Sequence, residues 1–222
     1  MDHNGEPGEL VWHPDRLDIP LRWRKPRRIF VCSMSDLFHQ AVPDEWRESV
    51  WNVMGDNRRH TFMVLTKRPN VMRDWLRRVR APTVPNVWLG VTVCNQEEAD
   101  RKIPILLETP AALRFVSVEP MLGPVNLRGW TYQLSGADTS LDWVICGAET
   151  GSGARPMNPD WARALRDQCI DAGVPLFFKG RGTGWDASGN TGAWPRRMRK
   201  SDPEYYLLDG REWRQFPEAP HA

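Results

Sequence analysis

Short apolar segments alternate with helical patterns along most of this sequence. Residues of β-branched and aromatic type dominate six runs, at 28–33, 61–66, 87–93, 113–118, 142–147 and 174–179. Between these runs, apolar residues recur at spacings of three and four, which is typical of amphipathic helices. Because strands that alternate with helices form parallel sheets with right-handed crossovers, the sequence predicts an α/β fold, either an open doubly wound sheet or a barrel.

The helical segments carry signals for where they begin and end. In "NPDWARALRDQCIDAG", Asn158 suits the N-cap and Gly173 suits the C-terminal stop. A helix over 96–107 contains Pro104, which predicts a kink or a split into two helices. Two regions do not fit the alternation. We expect residues 121–141 to form an inserted loop or short hairpin, and "YYLLDGREWRQFP" to form a terminal hairpin.

The composition is that of a globular protein, with 41% hydrophobic and 26% charged residues among 222. A net charge of +2 is too small to indicate nucleic-acid binding by the surface as a whole. No apolar run approaches the roughly 18 residues of a membrane helix, and the N-terminus lacks a secretory signal, so we expect a cytoplasmic protein. Cys32, Cys94 and Cys146 lie near strand ends and could form a three-thiolate metal site, but their unrelated spacing favours reduced core thiols.

Polar side chains recur where the predicted strands end. In chain order they are Ser33, Ser35, Asp36, Thr66, Lys67, Thr92, Ser117, Glu119, Glu149 and Lys179. In parallel α/β folds, active sites lie at the carboxyl ends of the strands. Strand ends that each deliver a donor, an acceptor or a charge therefore predict a shared polar site, and loops that are polar only for solubility are the alternative.

Individual motifs and residues indicate function less strongly than the repeated polar strand ends do. "GAETGSG" is similar to a Gly-rich anion loop but matches neither the dinucleotide fingerprint nor a P-loop. A lone histidine such as His39 is more often a boundary residue than a catalytic one. Glu119 either belongs to the site or forms a structural ion pair with Arg155 or Lys67. The tail offers three Trp–Arg neighbours for nucleic acid or a partner: Trp185 with Arg181, Trp194 with Arg196, and Trp213 with Arg214.

Several blocks in fixed order are similar to a known family. They include "PLRWRKPRRIFVCSMSDLFHQAVPDE", "TFMVLTKRP", "LDWVICGAETGSGARPM", "AGVPLFFK" and "LLDGREW". From about Trp12 to Pro217 the chain closely resembles a phage and prophage family of uncharacterised proteins related to radical S-adenosylmethionine enzymes. Within that class it is similar to the spore photoproduct lyase branch. The resemblance implies an incomplete TIM-like (β/α) barrel of about six parallel strands, without the first strand and its cluster loop, and with a small C-terminal extension.

The resemblance also implies roles for the residues at the strand ends. In the similar branch, a Ser/Thr-Asp motif, a Thr-Lys motif and a further Ser or Thr line the adenosylmethionine pocket. A carboxylate there can accept from the methionine ammonium, and a lysine can pair with the methionine carboxylate. Ser35-Asp36, Thr66-Lys67 and Thr92 fall on these positions, and Glu119 and Glu149 fall on family-typical positions without an assigned role. Together with Ser33 from the strand-end pattern, the expected cofactor-binding residues are Ser33, Ser35, Asp36, Thr66, Lys67, Thr92, Glu119 and Glu149. The resemblance assigns no catalytic residue and no metal ligand.

The sequence also departs from the family pattern. Longer relatives begin with three closely spaced cysteines, which in the radical class ligate a four-iron four-sulfur cluster. Here no cysteine precedes Cys32, which stands where relatives commonly have Asn, and Cys94 and Ala148 replace Glu and Gly. The resemblance therefore implies S-adenosylmethionine as a cofactor, and a cluster only if another chain supplies the cysteine ligands.

These expectations divide the chain into a lead-in at 1–27, the barrel at 28–180 and a Gly-rich, basic extension at 181–222. One hypothesis is a radical-type protein acting on nucleic acid or nucleotides that is not self-sufficient. The alternative is a non-catalytic remnant that binds a ligand or a host partner. The expected partners are a separately encoded cysteine-rich segment, a host protein or nucleic acid at the tail, with no membrane contact. An exposed sheet edge also favours self-association.

Overall fold

A computed structural model describes residues 10–131, 140–185, 194 and 198–218 of the chain. The helices are α1 (Ile19–Arg22), α2 (Asp44–Asp56), α3 (Pro69–Arg78), α4 (Gln96–Leu107), α5 (Arg128–Thr131) and α6 (Pro159–Ala172). The strands are β1 (Arg28–Val31), β2 (Thr61–Thr66), β3 (Val87–Val93), β4 (Leu113–Val118), β5 (Trp143–Gly147), β6 (Leu176–Gly180), β7 (Leu207–Leu208) and β8 (Arg211–Glu212). Short 3-10 turns lie at Pro14–Arg16 and Pro203–Tyr206. None of the helices in these ranges is long and apolar enough to cross a membrane.

Strands β1 to β6 form one parallel sheet whose spatial order is the chain order, curled into a half-barrel with helices between the strands. This arrangement confirms the predicted α/β incomplete barrel. Because all six strands run in the same direction, their carboxyl ends lie along one side of the sheet, which we call the rim. Their amino ends lie along the opposite side. Most of the predicted site residues lie at or just after the carboxyl ends of the strands, on the rim.

Two elements differ from the sequence expectation. β1 ends at Val31, two residues before the predicted end, because Cys32 adopts a φ of 54° that leaves the extended conformation. Of the two outcomes predicted at Pro104, a kink or a split, the split into two helices does not occur. α4 runs unbroken past Pro104, and its buried residues Ile103 and Leu106 are both 0% exposed. The packing of this apolar face offsets the one backbone hydrogen bond that proline removes.

The two faces of the sheet differ in what covers them. The convex face packs against the helices, and Val64, Leu89 and Val116 belong to this larger core. A second cluster, which we call the aromatic floor, lies on the concave face and consists of Met63, Trp88, Leu113, Phe115, Trp143 and Ile145. The concave face is therefore filled at its centre by apolar side chains.

The C-terminal segment closes one edge of the sheet. β7 and β8 pair around Asp209 and Gly210, whose φ values of 53° and 76° suit a tight turn, which confirms the predicted hairpin. Beyond it, the Phe178 amide donates to the carbonyl of Trp213 at 2.7 Å, and the Trp143 indole donates to the carbonyl of Gln215 at 3.0 Å. The tail therefore covers β6 and the floor from the amino end of the sheet.

Two sequence predictions concern parts of the chain that are described incompletely. Within 121–141, the structure has α5, while residues 132–139 lie outside the described ranges. In the tail, Trp194 and Trp213 are only 7% and 8% exposed, whereas Trp185 is 46% exposed. Arg196 lies outside the described residues. Two of the three tail tryptophans are thus packed inside the protein.

Candidate functional site

Asp36 connects the loop after β1 to the end of β2. Its Oδ1 accepts from the Phe38 amide at 2.9 Å and from the Thr66 hydroxyl at 2.8 Å. Its Oδ2 accepts from the Lys67 amide at 3.1 Å and from Arg68 Nη1 at 2.9 Å. A carboxylate has about four acceptor positions, and all of them are used here by the chain's own donors. In this arrangement Asp36 holds the rim together and has no acceptor position left for a ligand ammonium, so its role in cofactor binding stays a prediction.

Ser33 and Ser35 lie apart from the other candidates. Both are exposed and line a groove of about 490 Å³ between β1 and the N-terminal segment. The other walls of this groove include Trp12, Trp23 and Phe30, and none of the other six predicted site residues lines it. The structure therefore divides the predicted set into two serines beside the edge of β1 and six residues along the rim.

Lys67 places an ammonium group on the rim, directly after β2. Its side chain is exposed, and no ion-pair partner for its ammonium exists among the described residues. Both Lys67 and Arg155 lie close enough to Cys94 to lower the pKa of its thiol. Burial outweighs them, because desolvation and the neighbouring Glu98 raise the pKa of Cys94 above its ordinary value. The charges of Lys102, Lys67 and Arg155 thus do not offset the effect of burial on the pKa of Cys94.

Two hydroxyls follow the aromatic floor toward the rim. Thr92 and Ser117 are opposite one another in the β3–β4 register. Thr92 lies four residues after Trp88 and Ser117 two residues after Phe115, so both side chains are on the concave face with the floor. They are 7% and 2% exposed. Neither hydroxyl donates to or accepts from another group in the described part of the chain. A ligand above the floor would find a donor and an acceptor on each.

Glu119 forms its ion pair with Lys179, at 2.8 Å, rather than with either partner expected from the sequence. The pair spans β5 at Gly147, where an added Cβ would meet Glu119 Oε1 at 3.0 Å and Lys179 Cβ at 3.2 Å. Tyr205 lies close enough for the Glu119 charge to contribute to the raised pKa of its phenol, which is caused mainly by burial. Glycine at 147 thus lets a carboxylate and an ammonium meet across the strand.

Glu149 forms a further ion pair of the rim, with Arg155. Its carboxylate accepts from the Arg155 guanidinium at 2.8 Å through both oxygens, and from the Arg155 amide at 2.8 Å. These bonds lower the pKa of Glu149 to about 2. They also close the predicted anion loop, whose residue Gly151 donates to the Thr183 hydroxyl at 3.0 Å. The hydrogen-bonding groups of the loop are therefore used within the loop and by Thr183, which follows β6.

The cysteines do not fit an iron–sulfur cluster. No group of three or more His, Cys, Asp or Glu side chains that could hold a metal exists in the described residues. Cys146 is buried against Met121, with 3.7 Å between the two sulfurs. Burial raises the pKa of Cys146, and it raises that of Cys169 to about 12, whereas a cluster needs thiolates. The three-thiolate site from Cys32, Cys94 and Cys146 is not formed in this structure.

Sequence reasoning gave no role to Gly147 or Tyr205. Gly147 is the last residue of a buried strand, and a glycine there signals a close approach of other groups. Tyr205 comes from the tail, 86 positions after Glu119, and no sequence signal joins the two. His39, which the sequence placed outside the site, accepts from the Ala41 amide at 3.3 Å and acts within its own turn.

Among the described residues, the rim combines one lysine without an ion-pair partner and two hydroxyls without a hydrogen-bond partner. It also has three carboxylate–cation pairs: Asp36–Arg68, Glu119–Lys179 and Glu149–Arg155. A family model matches residues 3–217 and is described as "Protein of unknown function (DUF5131)". No curated protein and no solved structure matches this chain. Because the match covers nearly the whole sequence, the chain belongs to this family of proteins of unknown function.

Proposed function

We propose that the rim binds a nucleoside ligand that carries a carboxylate, and that this ligand is S-adenosylmethionine. The observation that carries the proposal is the exposed Lys67 ammonium, which has no ion-pair partner in the described ranges and stands at the strand end next to Thr92. An ammonium of this kind pairs with a ligand carboxylate as a compact point charge. The resemblance of Thr66-Lys67 to the adenosylmethionine-binding motif supports the same assignment.

The neighbouring groups suit the rest of such a ligand. The Thr92 and Ser117 hydroxyls can donate to or accept from ribose hydroxyls and ring nitrogens. The aromatic floor beneath them keeps water away from one side of the ligand, which strengthens each polar contact above it. The Glu119–Lys179 pair at the far side of β4 offers one carboxylate and one ammonium, each already partly neutralised. The proposal for the rim is therefore ligand binding, without an assigned reaction.

The proposal does not include a self-sufficient radical enzyme. When bound, an iron–sulfur cluster supplies the electron for radical chemistry, and the cysteines of the described chain do not fit one. We therefore derive no radical step for this chain, and cluster ligands would have to come from another chain. The relationship to radical enzymes and the phage or prophage origin are parts of this proposal that rest on the sequence resemblance, and a cytoplasmic location stays an expectation from the sequence.

Calorimetry with two ligands tests the assignment. S-Adenosylmethionine should bind, and Lys67→Ala should weaken its binding about tenfold or more, because a charge-assisted contact contributes roughly 1.5–3 kcal/mol. 5′-Methylthioadenosine has the same nucleoside and no carboxylate, so Lys67→Ala should leave its affinity unchanged.

Lys25→Ala is the matched control, since Lys25 is an exposed lysine at the opposite side of the sheet, before β1. It should change neither affinity. The proposal is wrong if the wild-type protein binds neither ligand, or if Lys25→Ala weakens S-adenosylmethionine as much as Lys67→Ala does. Asp36→Ala does not serve as a test, because it removes the four hydrogen bonds that hold the rim loops.

A further inference from the structure

The amino end of the sheet carries a concentrated positive charge. Seven exposed cations lie in two short segments, and we call this surface the basic edge: Arg22, Arg24, Lys25, Arg27, Arg28, Arg58 and Arg59. Segments 22–28 and 57–60 contain no carboxylate. Because the net charge of the whole chain is +2, removing these seven charges leaves −5 for all other residues. The small net charge is therefore the sum of a strongly positive basic edge and a negative remainder of the chain.

The two segments form one surface because a buried histidine joins them. His60 is 1% exposed, and its Nδ1 accepts from the Arg27 amide at 3.2 Å. Its other ring nitrogen, Nε2, must then carry the proton, and it donates to the Pro20 carbonyl at 2.9 Å. The Thr61 amide also donates to the Arg27 carbonyl at 2.9 Å, at the start of the β1–β2 pairing.

The turn before β2 is fixed as well. The Asn86 side-chain amide donates to the carbonyls of Met54, Asn57 and His60, at 3.0, 3.2 and 2.9 Å. Arg58 and Arg59 therefore project from a turn that three hydrogen bonds hold in place. The cations of the basic edge stand on rigid backbone, which lowers the entropy cost of binding.

The charges of the basic edge are available to a partner. Within the described ranges, Arg22 is the only one of the seven that forms an ion pair, with Asp18 at 3.8 Å, and both side chains are more than half exposed. Arg27 lies over the Trp23 ring at 4.3 Å, and Arg28 over the Phe216 ring at 3.9 Å. A guanidinium on an aromatic ring keeps the N–H groups at its edge free, and these groups fit phosphate oxygens in pairs.

We propose that the basic edge binds the phosphate backbone of nucleic acid. Six of its seven cations are arginines, whose planar forks match phosphodiester oxygens. The negative remainder of the molecule repels the same polyanion, so it binds in one orientation only. The basic edge lies opposite the rim, so it holds nucleic acid at a distance from the rim ligand, and this inference does not depend on ligand binding there.

Fluorescence anisotropy with short labelled single strands and duplexes tests this proposal. Affinity should fall steeply between about 50 and 200 mM salt. The double variant Arg24→Ala/Arg58→Ala should lower the log–log salt slope by about 1.4 for a single strand or about 1.8 for a duplex, since each lost phosphate contact removes about 0.7 or 0.9. Both side chains are exposed, so the thermal unfolding midpoint should not change.

Arg101→Ala is the matched control, because it removes an exposed arginine from α4 and should leave the slope unchanged. Lys67→Ala should also leave nucleic-acid affinity unchanged, which separates this result from the test of the rim. The inference is overturned if neither nucleic acid binds at low salt, or if Arg101→Ala has the effect of the double variant. It is equally overturned if phosphatidylserine vesicles bind the basic edge and nucleic acid does not.

Discussion

At the residue scale, the Glu149–Arg155 pair makes a prediction about pH. Hydrogen bonds from the Arg155 side chain and amide lower the pKa of Glu149 to about 2 from its ordinary 4.5. A lowered pKa stabilises the fold at pH values above the ordinary one, and this contribution is lost as the pH falls from about 4.5 toward 2. Because Arg155 is exposed, the energy involved is small, and the titration itself is the better measure.

The Glu149 carboxyl carbon, followed by NMR, should titrate near pH 2 in the wild-type protein. In Arg155→Ala it should titrate above 2 but still below the ordinary 4.5, because the guanidinium is absent while the backbone hydrogen bond that also lowers the pKa remains. Arg163→Ala is the control, since Arg163 pairs with Asp160 and Asp209 instead. A wild-type titration near 4.5 would contradict the geometry of this pair.

Single residues also show how far the sequence predicts the site. The polar strand ends were identified from the alternation alone, because a parallel sheet must bring them to one side. Their partners were not, since Asp36 meets Arg68 and Glu119 meets Lys179 only through the spacing of folded loops. A carboxylate that looks free to bind a ligand in the sequence can be fully occupied by the chain itself.

At the scale of elements, the packing of β3 against β4 depends on Gly90. A Cβ at this position would lie 2.5 Å from Cε2 and Cζ of Phe115, whose ring is 0% exposed. Gly90→Ala should therefore lower the free energy of unfolding by about 1–3 kcal/mol, as overpacking does in well-filled cores. Urea denaturation followed by tryptophan fluorescence measures this loss.

Two further variants check the cause of that loss. Phe115→Leu in the Gly90→Ala background should recover part of it, because the ring is the obstacle, so a double-mutant cycle should show coupling. Gly55→Ala is the matched control, since Gly55 lies in α2 with nothing within 4 Å of an added Cβ. It should be neutral or stabilise the protein by up to about 1 kcal/mol. Additive effects at Gly90 and Phe115 would contradict the proposed contact.

The elements were the most predictable level of this structure. Six apolar runs with helical segments between them specify a parallel α/β sheet, because few other arrangements bury both kinds of pattern. The ends of the elements were less predictable. β1 ends where Cys32 adopts a positive φ, and this conformation belongs to a turn in which the Ser35 amide donates to the Cys32 carbonyl. A cysteine in the sequence does not indicate such a turn. The persistence of α4 past Pro104 likewise depends on tertiary packing that the local sequence does not show.

At the scale of the whole molecule, the β1 edge of the half-barrel is open. β1 pairs with β2 on one side and with no strand of the described chain on the other. Six of the eight exposed large apolar residues in the described ranges lie in this region: Leu10, Val11, Ile19, Leu21, Phe30 and Met34. An unpaired strand edge beside an apolar groove favours association with another chain.

We therefore expect reversible self-association through β1, with a second copy covering Phe30 and Met34, which are 38% and 96% exposed. Phe30→Lys/Met34→Lys should shift the protein toward monomer in sedimentation velocity, because lysines on an edge oppose pairing. Salt should strengthen wild-type association by screening the nearby arginines, whereas it weakens nucleic-acid binding. Ile170→Lys, at a 56% exposed residue of α6, should not change the association. A wild-type protein that stays monomeric at all concentrations, or an equal effect of Ile170→Lys, would exclude this surface as the interface.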